Sequence, residues 1–126
     1  MAYEMDVLDV SLLAAGDLSS YQYRFVKISA DNTVTVCGNA EKAFGILQNK
    51  PTAAGQAARV RVFGVSRVEM HTTCAFGDYV GSQADGEALP VTGDKAYYCA
   101  ICIDGEAVVS NELCTVILVG PTTLSA

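Results

Sequence analysis

Charged side chains are scarce in this 126-residue chain, at 17% of residues, where soluble domains usually carry roughly 25%. Eight are basic against 14 acidic, and the formal net charge is −6. Binding a phosphate backbone needs clustered Lys and Arg, so nucleic acid is not an expected partner. Arg59, Arg61 and Arg67 come nearest to a patch, with Glu69 beside them. They read as a solvated strand face laced with cross-strand ion pairs. The glycines match neither a dinucleotide fingerprint nor a Walker pattern, so there is no phosphate loop. No apolar run approaches the roughly 18 residues that cross a membrane as a helix. The opening, Met1-Ala2-Tyr3-Glu4-Met5-Asp6, is acidic where a secretory signal is basic. The chain is therefore expected to be made and used without crossing a membrane, and with no membrane partner. Its five cysteines, an odd number, do not form the paired framework of a small secreted domain, which fits a reducing compartment.

What is abundant is apolar and β-forming. Hydrophobic residues make up 51% of the chain. A single small domain has too much surface to hide so many internally, which points to burial against partners. From Ala58 to Met70 the even positions are Ala58, Val60, Val62, Gly64, Ser66, Val68 and Met70, and the odd ones Arg59, Arg61, Phe63, Val65, Arg67 and Glu69. Small apolar residues on one parity and mostly charged residues on the other are the period-two signature of a half-buried strand. Gly77–Gly81 frames another short strand, and Asp85-Gly86 is a tight turn before Ala88-Leu89-Pro90-Val91. The fold class expected is all-β, a small barrel or sandwich-like domain.

Further strands follow from the same logic. Tyr21–Ala30 is rich in β-formers, Asp31-Asn32 turns it, and Thr33–Cys37 is its hairpin partner. Ala43–Leu47 is a strand, and Asn49–Gly55 with Pro51 a loop. Ala96–Ile103 is apolar on both parities, so Tyr97, Tyr98, Ile101 and Ile103 are expected in the core or a subunit interface. Glu106–Glu112 could form one helical turn. Thr115–Val119 is a last buried strand, stopped by Gly120-Pro121. An internal echo links the Gly45-Ile46 strand leading to Val60–Gly64 with Tyr98–Ile103 leading to Thr115–Gly120. It is either a duplicated hairpin or shared β composition.

Residues 1–20 break the pattern. Tyr3, Met5 and Val7 alternate with Glu4 and Asp6; the phase then flips to Leu8, Val10 and Leu12. A one-residue slip turns the apolar face over, which makes a poor single strand. A helix over 5–15 is disfavoured by Val7, Val10, Ser11 and Gly16. The expected division is an N-terminal arm, 1–20, and a β domain, 21–126. Tyr3, Met5 and Val7 would then contact one partner surface, and Leu8, Leu12 and Leu13 another.

Two cysteine spacings invite a metal reading. His71 and Cys74 form H-x2-C, and Cys99 and Cys102 form C-x2-C. Zinc knuckles need a turn between their cysteines, whereas an offset of three in a strand puts Cys99 and Cys102 on opposite faces. Cys37 and Cys114 likewise read as packed hydrophobes. No metal site and no cofactor are expected. A His71–Cys74–Asp78 relay is the one nucleophilic arrangement available, but nothing marks an oxyanion hole, and no catalytic residue is assigned.

The order of these features is similar to a known family. Ala-Phe-Gly-Ile-Leu-Gln at 43–48, Val-Arg-Val-Phe-Gly at 60–64, Phe-Gly-Asp-Tyr-Val-Gly at 76–81, Asp-Gly at 85–86 and the closing Val-Ile-Leu-Val strand resemble the capsid decoration, or cement, proteins of tailed bacteriophages. The resemblance spans roughly 21–120. It implies a non-enzymatic β-barrel-like subunit on the outer surface of a phage head, commonly a homotrimer, whose partners are the major capsid protein and its own copies. An N-terminal arm, as at 1–20, is a common device in that family. Two other classes stand beside this reading: another virion part, such as a head-completion or tail protein, and a small thiol enzyme.

Overall fold

The computed structural model describes residues 5–91, 97–103 and 112–123, and over these the protein is all β. The strands are β1 (Met5–Ala14), β2 (Phe25–Ala30), β3 (Thr33–Val36), β4 (Gly45–Leu47), β5 (Ala57–Glu69), β6 (Tyr79–Ser82), β7 (Ala88–Pro90), β8 (Tyr97–Cys102) and β9 (Leu113–Thr123). β1 lies parallel to β3 and antiparallel to β5, while β2 joins β3 to β4 and β4 joins β5. The order β1-β3-β2-β4-β5 thus returns to β1, a closed five-stranded barrel. Closure leaves no unpaired edge in that unit. Its interior is small and apolar: Val10, Leu12, Ala14, Val26, Val34, Leu47, Ala58 and Val60, with Leu18 packed among them.

At 13 residues, β5 is long enough to belong to two units. Its first half closes the barrel, and Gly64–Glu69 pairs with β9. β9 in turn carries β8, then β6, then β7. This extension curls until Met70 forms a parallel bridge to Ala88. A second core fills the curl. Phe25 and Ile46 enter it from strands whose next residues, Val26 and Leu47, point into the barrel, as pleat alternation requires. They meet Val68, Met70, Val80, Ala100, Val116 and Leu118. The even parity of β5 is buried as expected, apart from partly buried Val62. Both halves of the internal echo are antiparallel pairs, β4 with β5 and β8 with β9.

The turns obey local chemistry. Asn32 takes the left-handed conformation, φ 52°, between β2 and β3. Gly86, φ 82°, sits so close to the chain that a Cβ there would lie 2.8 Å from the Phe25 carbonyl oxygen. That glycine's own carbonyl accepts from the Phe25 amide at 2.8 Å, tying the β6–β7 turn to the start of β2.

Three expectations need correction. The segment expected as an arm is, over Met5–Ala14, strand β1 of the barrel. The phase slip that argued against a strand is absorbed by register shifts between Asp6 and Leu8 and between Leu8 and Asp9. The two shifts cancel, one extra residue on each strand, and beyond them Val10 and Leu12 pack on the barrel core. Tyr3 and the side chains of Met5 and Val7 lie outside the described residues. Second, Tyr21–Arg24 is not strand: Tyr23 has φ 64° and β2 begins at Phe25. Third, β9 does not stop at Gly120-Pro121 but runs to Thr123. The register of β8 shifts between Tyr98 and Ala100 opposite that point, and such an irregularity accommodates a proline that cannot donate to the ladder. Of Glu106–Glu112, all but Glu112 falls outside the described residues.

Candidate functional site

The outward parity of the extension makes a continuous apolar row. Val65 of β5 lies directly opposite Ile117 of β9, Ile117 opposite Ile101 of β8, and Ile101 opposite Tyr79 of β6. Four strands at roughly 4.8 Å spacing span about 14 Å. Phe63, two residues from Val65, is 56% exposed, and its partner on β1, Leu8, is 46% exposed. Ile117, Val119 and Tyr79 are each about 40% open to solvent. Tyr98 stacks on Tyr79 with ring centroids 4.5 Å apart, stiffening the far end. Single exposed apolar residues are ordinary; here they line up across four strands.

Polar residues bracket the row on β5. Arg61 is buried, not solvated: Nε donates to Asp9 Oδ1 at 2.8 Å and Nη2 to Asp9 Oδ2 at 3.1 Å. Arg59 approaches the same carboxylate at 3.4 Å. Arg67 lies over the Tyr23 ring, 4.7 Å from its centroid, and donates to the Tyr23 hydroxyl. The expected cross-strand ion pairing is thus present at Arg59 and Arg61, which share Asp9, while Arg67 is held by Tyr23. Near β7, Arg24 is ringed by Glu69, Asp85 and Glu87. Burial and the neighbouring Asp85 push the Glu87 carboxyl above the usual carboxylate range.

The segment expected as a strand at 96–103 is, over its described residues, β8 (Tyr97–Cys102) followed by Ile103. Cys99, Ala100 and Cys102 are core, whereas Tyr97 and Ile103 are exposed and Ile101 and Tyr98 half-buried. Adjacent Cys99 and Ala100 are both buried where the register shifts between Tyr98 and Ala100, so Cys99 and Cys102 share one core instead of lying on the opposite faces that their spacing predicts. Of the residues expected to meet partners from the N-terminus, Leu8 and Leu13 are exposed, and Leu12 packs on the barrel core. The row Phe63–Val65–Ile117–Tyr79 was not singled out from the sequence. Its one visible signal was Phe63 and Val65 standing on a parity otherwise given to charge.

The thiols are arranged unlike either sequence spacing. His71 contacts Gln83 Nε2 at 2.9 Å and Glu87 at 3.4 Å, and Asp78 accepts from the Ala75 amide. Cys74 turns inward to Cys102 at 3.1 Å and Cys114 at 3.5 Å, with Cys102 and Cys114 2.9 Å apart. No relay of His71, Cys74 and Asp78 is assembled by these contacts. The adjoining Cys102 thiol and burial push Cys74 up to about 12, and its neighbours with burial raise Cys114 further. Cys99 is pushed up to about 12 by burial and by Cys37. These thiols are held neutral, which suppresses nucleophilic reactivity.

The chain matches no protein-family model and no curated protein. Among solved structures it is similar to the crystal structure of the head fiber gp8.5 N base of bacteriophage phi29, at a TM-score of 0.71 and 12% identity. The match covers 94% of this chain and 98% of that one. The likeness therefore extends over the barrel and its extension together.

Proposed function

We propose that this protein is a structural part of a phage virion, carried on the head, and that its work is docking instead of catalysis. The observation that carries the reading is the fold shared almost end to end with the base of a phage head fiber. The open row of Phe63, Val65, Ile117, Ile101 and Tyr79 supplies the means. Burying a Phe, Ile or Val side chain contributes roughly 1.5–3 kcal/mol, so a few such residues offset the cost of association.

In the finer form of the proposal, the partners are copies of this chain, as a homotrimer, and the major capsid protein on the outer surface of the head. Many weak contacts made at once then gain by avidity, and cementing requires no more than that. The acidic net charge suits a protein that must stay clear of packaged nucleic acid.

The test is to mix the purified protein with heads of its own phage that lack it, image the particles, and compare their heat resistance. Decorated heads that withstand a higher temperature support cementing. Decoration with no change in heat resistance leaves a head-borne role and removes the cement. Heads that take up none of the protein overturn the proposal.

A further inference from the structure

We propose that Cys74, Cys102 and Cys114 form a binding site for one thiophilic d10 cation, Zn2+ or Cu+. The three come from separate places: the loop after β5, the end of β8 and the start of β9. Their sulfurs nonetheless converge to 2.9–3.5 Å of one another. Among the described residues they are the metal-ligating groups that lie within mutual reach of a single ion. All are buried, Cys114 and Cys102 almost completely.

Two alternatives explain the convergence less well. Ordinary hydrophobic packing does not require three sulfurs to converge, and Cys37 and Cys99 are as deep in the same core without joining the group. A disulfide, with sulfurs about 2.0 Å apart, joins two thiols and leaves the third with no reason to point at them. A three-way approach is what a shared ligand produces. Bonds of ~2.3 Å to a common ion space tetrahedral sulfurs ~3.8 Å apart, so the cluster needs to open by about 1 Å or less. An all-sulfur donor set selects Zn2+ or Cu+ over the oxygen-seeking Mg2+, Ca2+ and Mn2+.

The proton balance sets the conditions. Each sulfur that ligates as thiolate releases its proton to solvent while the ion sheds its waters. Protons therefore compete with the metal for each sulfur. Affinity then rises up to about tenfold per pH unit for each proton released.

The experiment uses the full chain, reduced and free of oxygen, titrated separately with Zn2+ and with Cu+. Native mass spectrometry reads the stoichiometry, and sulfur-to-metal charge-transfer absorption reads the ligand type, with Co2+ standing in for Zn2+. One ion per chain is expected, bound more tightly at higher pH. Binding should weaken at least tenfold in Cys74→Ser and persist in Cys37→Ala and Cys99→Ala. Should Cys74→Ser unfold, Cys74→Ala, checked by circular dichroism, serves in its place. Retention of either metal supports the site and identifies the ion. The proposal is overturned if neither ion binds above the Cys74→Ser level, or if Cys37→Ala and Cys99→Ala lose binding equally. It also falls if air-exposed protein yields a Cys102–Cys114 disulfide and its reduced form refuses both ions.

Discussion

Arg61 grips Asp9 across the β1–β5 pair through two parallel hydrogen bonds, with the guanidinium sealed from water and the carboxylate nearly so. Bidentate pairing is the strongest form of this contact and fixes position as well as charge. Here it fastens β1, the strand that closes the barrel, to the middle of the strand that both units share.

Removing the carboxylate takes away a bidentate partner of a buried guanidinium. Asp9→Ala is expected to cost about 2–3 kcal/mol, at or below the low end for a broken buried pair because Asp9 keeps some solvent. Urea unfolding of wild type and variant measures it. A loss below about 0.5 kcal/mol means the pair is not a fastening.

Deleting residues 2–15 removes β1 and opens the barrel along both β3 and β5. The truncated chain is expected to lose its cooperative unfolding transition and its dispersed amide spectrum. A truncated protein with a native-like spectrum would return this segment to the status of an arm.

Glu87 gives a pH dependence with a definite sign. Its carboxyl is raised by burial and by Asp85 above the ordinary value of 4.5. In the window above that value the folded state holds more protons than the unfolded state, so this group's contribution falls as pH rises through the folded pKa. Glu87→Gln is therefore expected to raise the Tm at neutral pH and to converge on wild type below the ordinary carboxylate range. A thermal series across that range decides it; equal Tm differences at every pH would show that the charge state of Glu87 is irrelevant.

The proposed docking role of the apolar row can be tested apart from folding. Ile117 is exposed on the sheet face, so Ile117→Glu is expected to cost under about 1 kcal/mol of stability. The same change places a carboxylate between Val65 and Ile101 and should abolish self-association and head binding. Sedimentation velocity and head-binding assays on the folded variant test this. Unchanged assembly would move the interface elsewhere.

Much of the β framework was legible because alternation is local: the parity of residues 58–70 named the buried face of β5 before any neighbour was known. The Asp31-Asn32 and Asp85-Gly86 turns were legible for the same reason, since left-handed positions select their residues locally. Tyr97, Tyr98, Ile101 and Ile103 were expected in core or interface, yet Tyr97 and Ile103 are exposed and Tyr98 and Ile101 half-buried. Cys99, Ala100 and Cys102 fill the core, because each residue's role depends on what lies over its face.

β1 shows where local reading fails. Its phase slip is visible in the sequence, yet only the β5 ladder beside it turns the slip into a bulge. The cysteines show the same limit at longer range. Spacing offered His71 with Cys74 and Cys99 with Cys102, while the fold joined Cys74, Cys102 and Cys114 across separations of 28, 40 and 12 residues. By itself the sequence determined that this is a β protein with one face of its long central strand buried, because side-chain alternation follows from backbone geometry alone. Barrel closure, the Asp9–Arg61 clasp, the open apolar row and the three-sulfur cluster were decided by the tertiary structure. Each depends on which distant strands lie side by side, and that is settled only when the two cores are assembled as a whole.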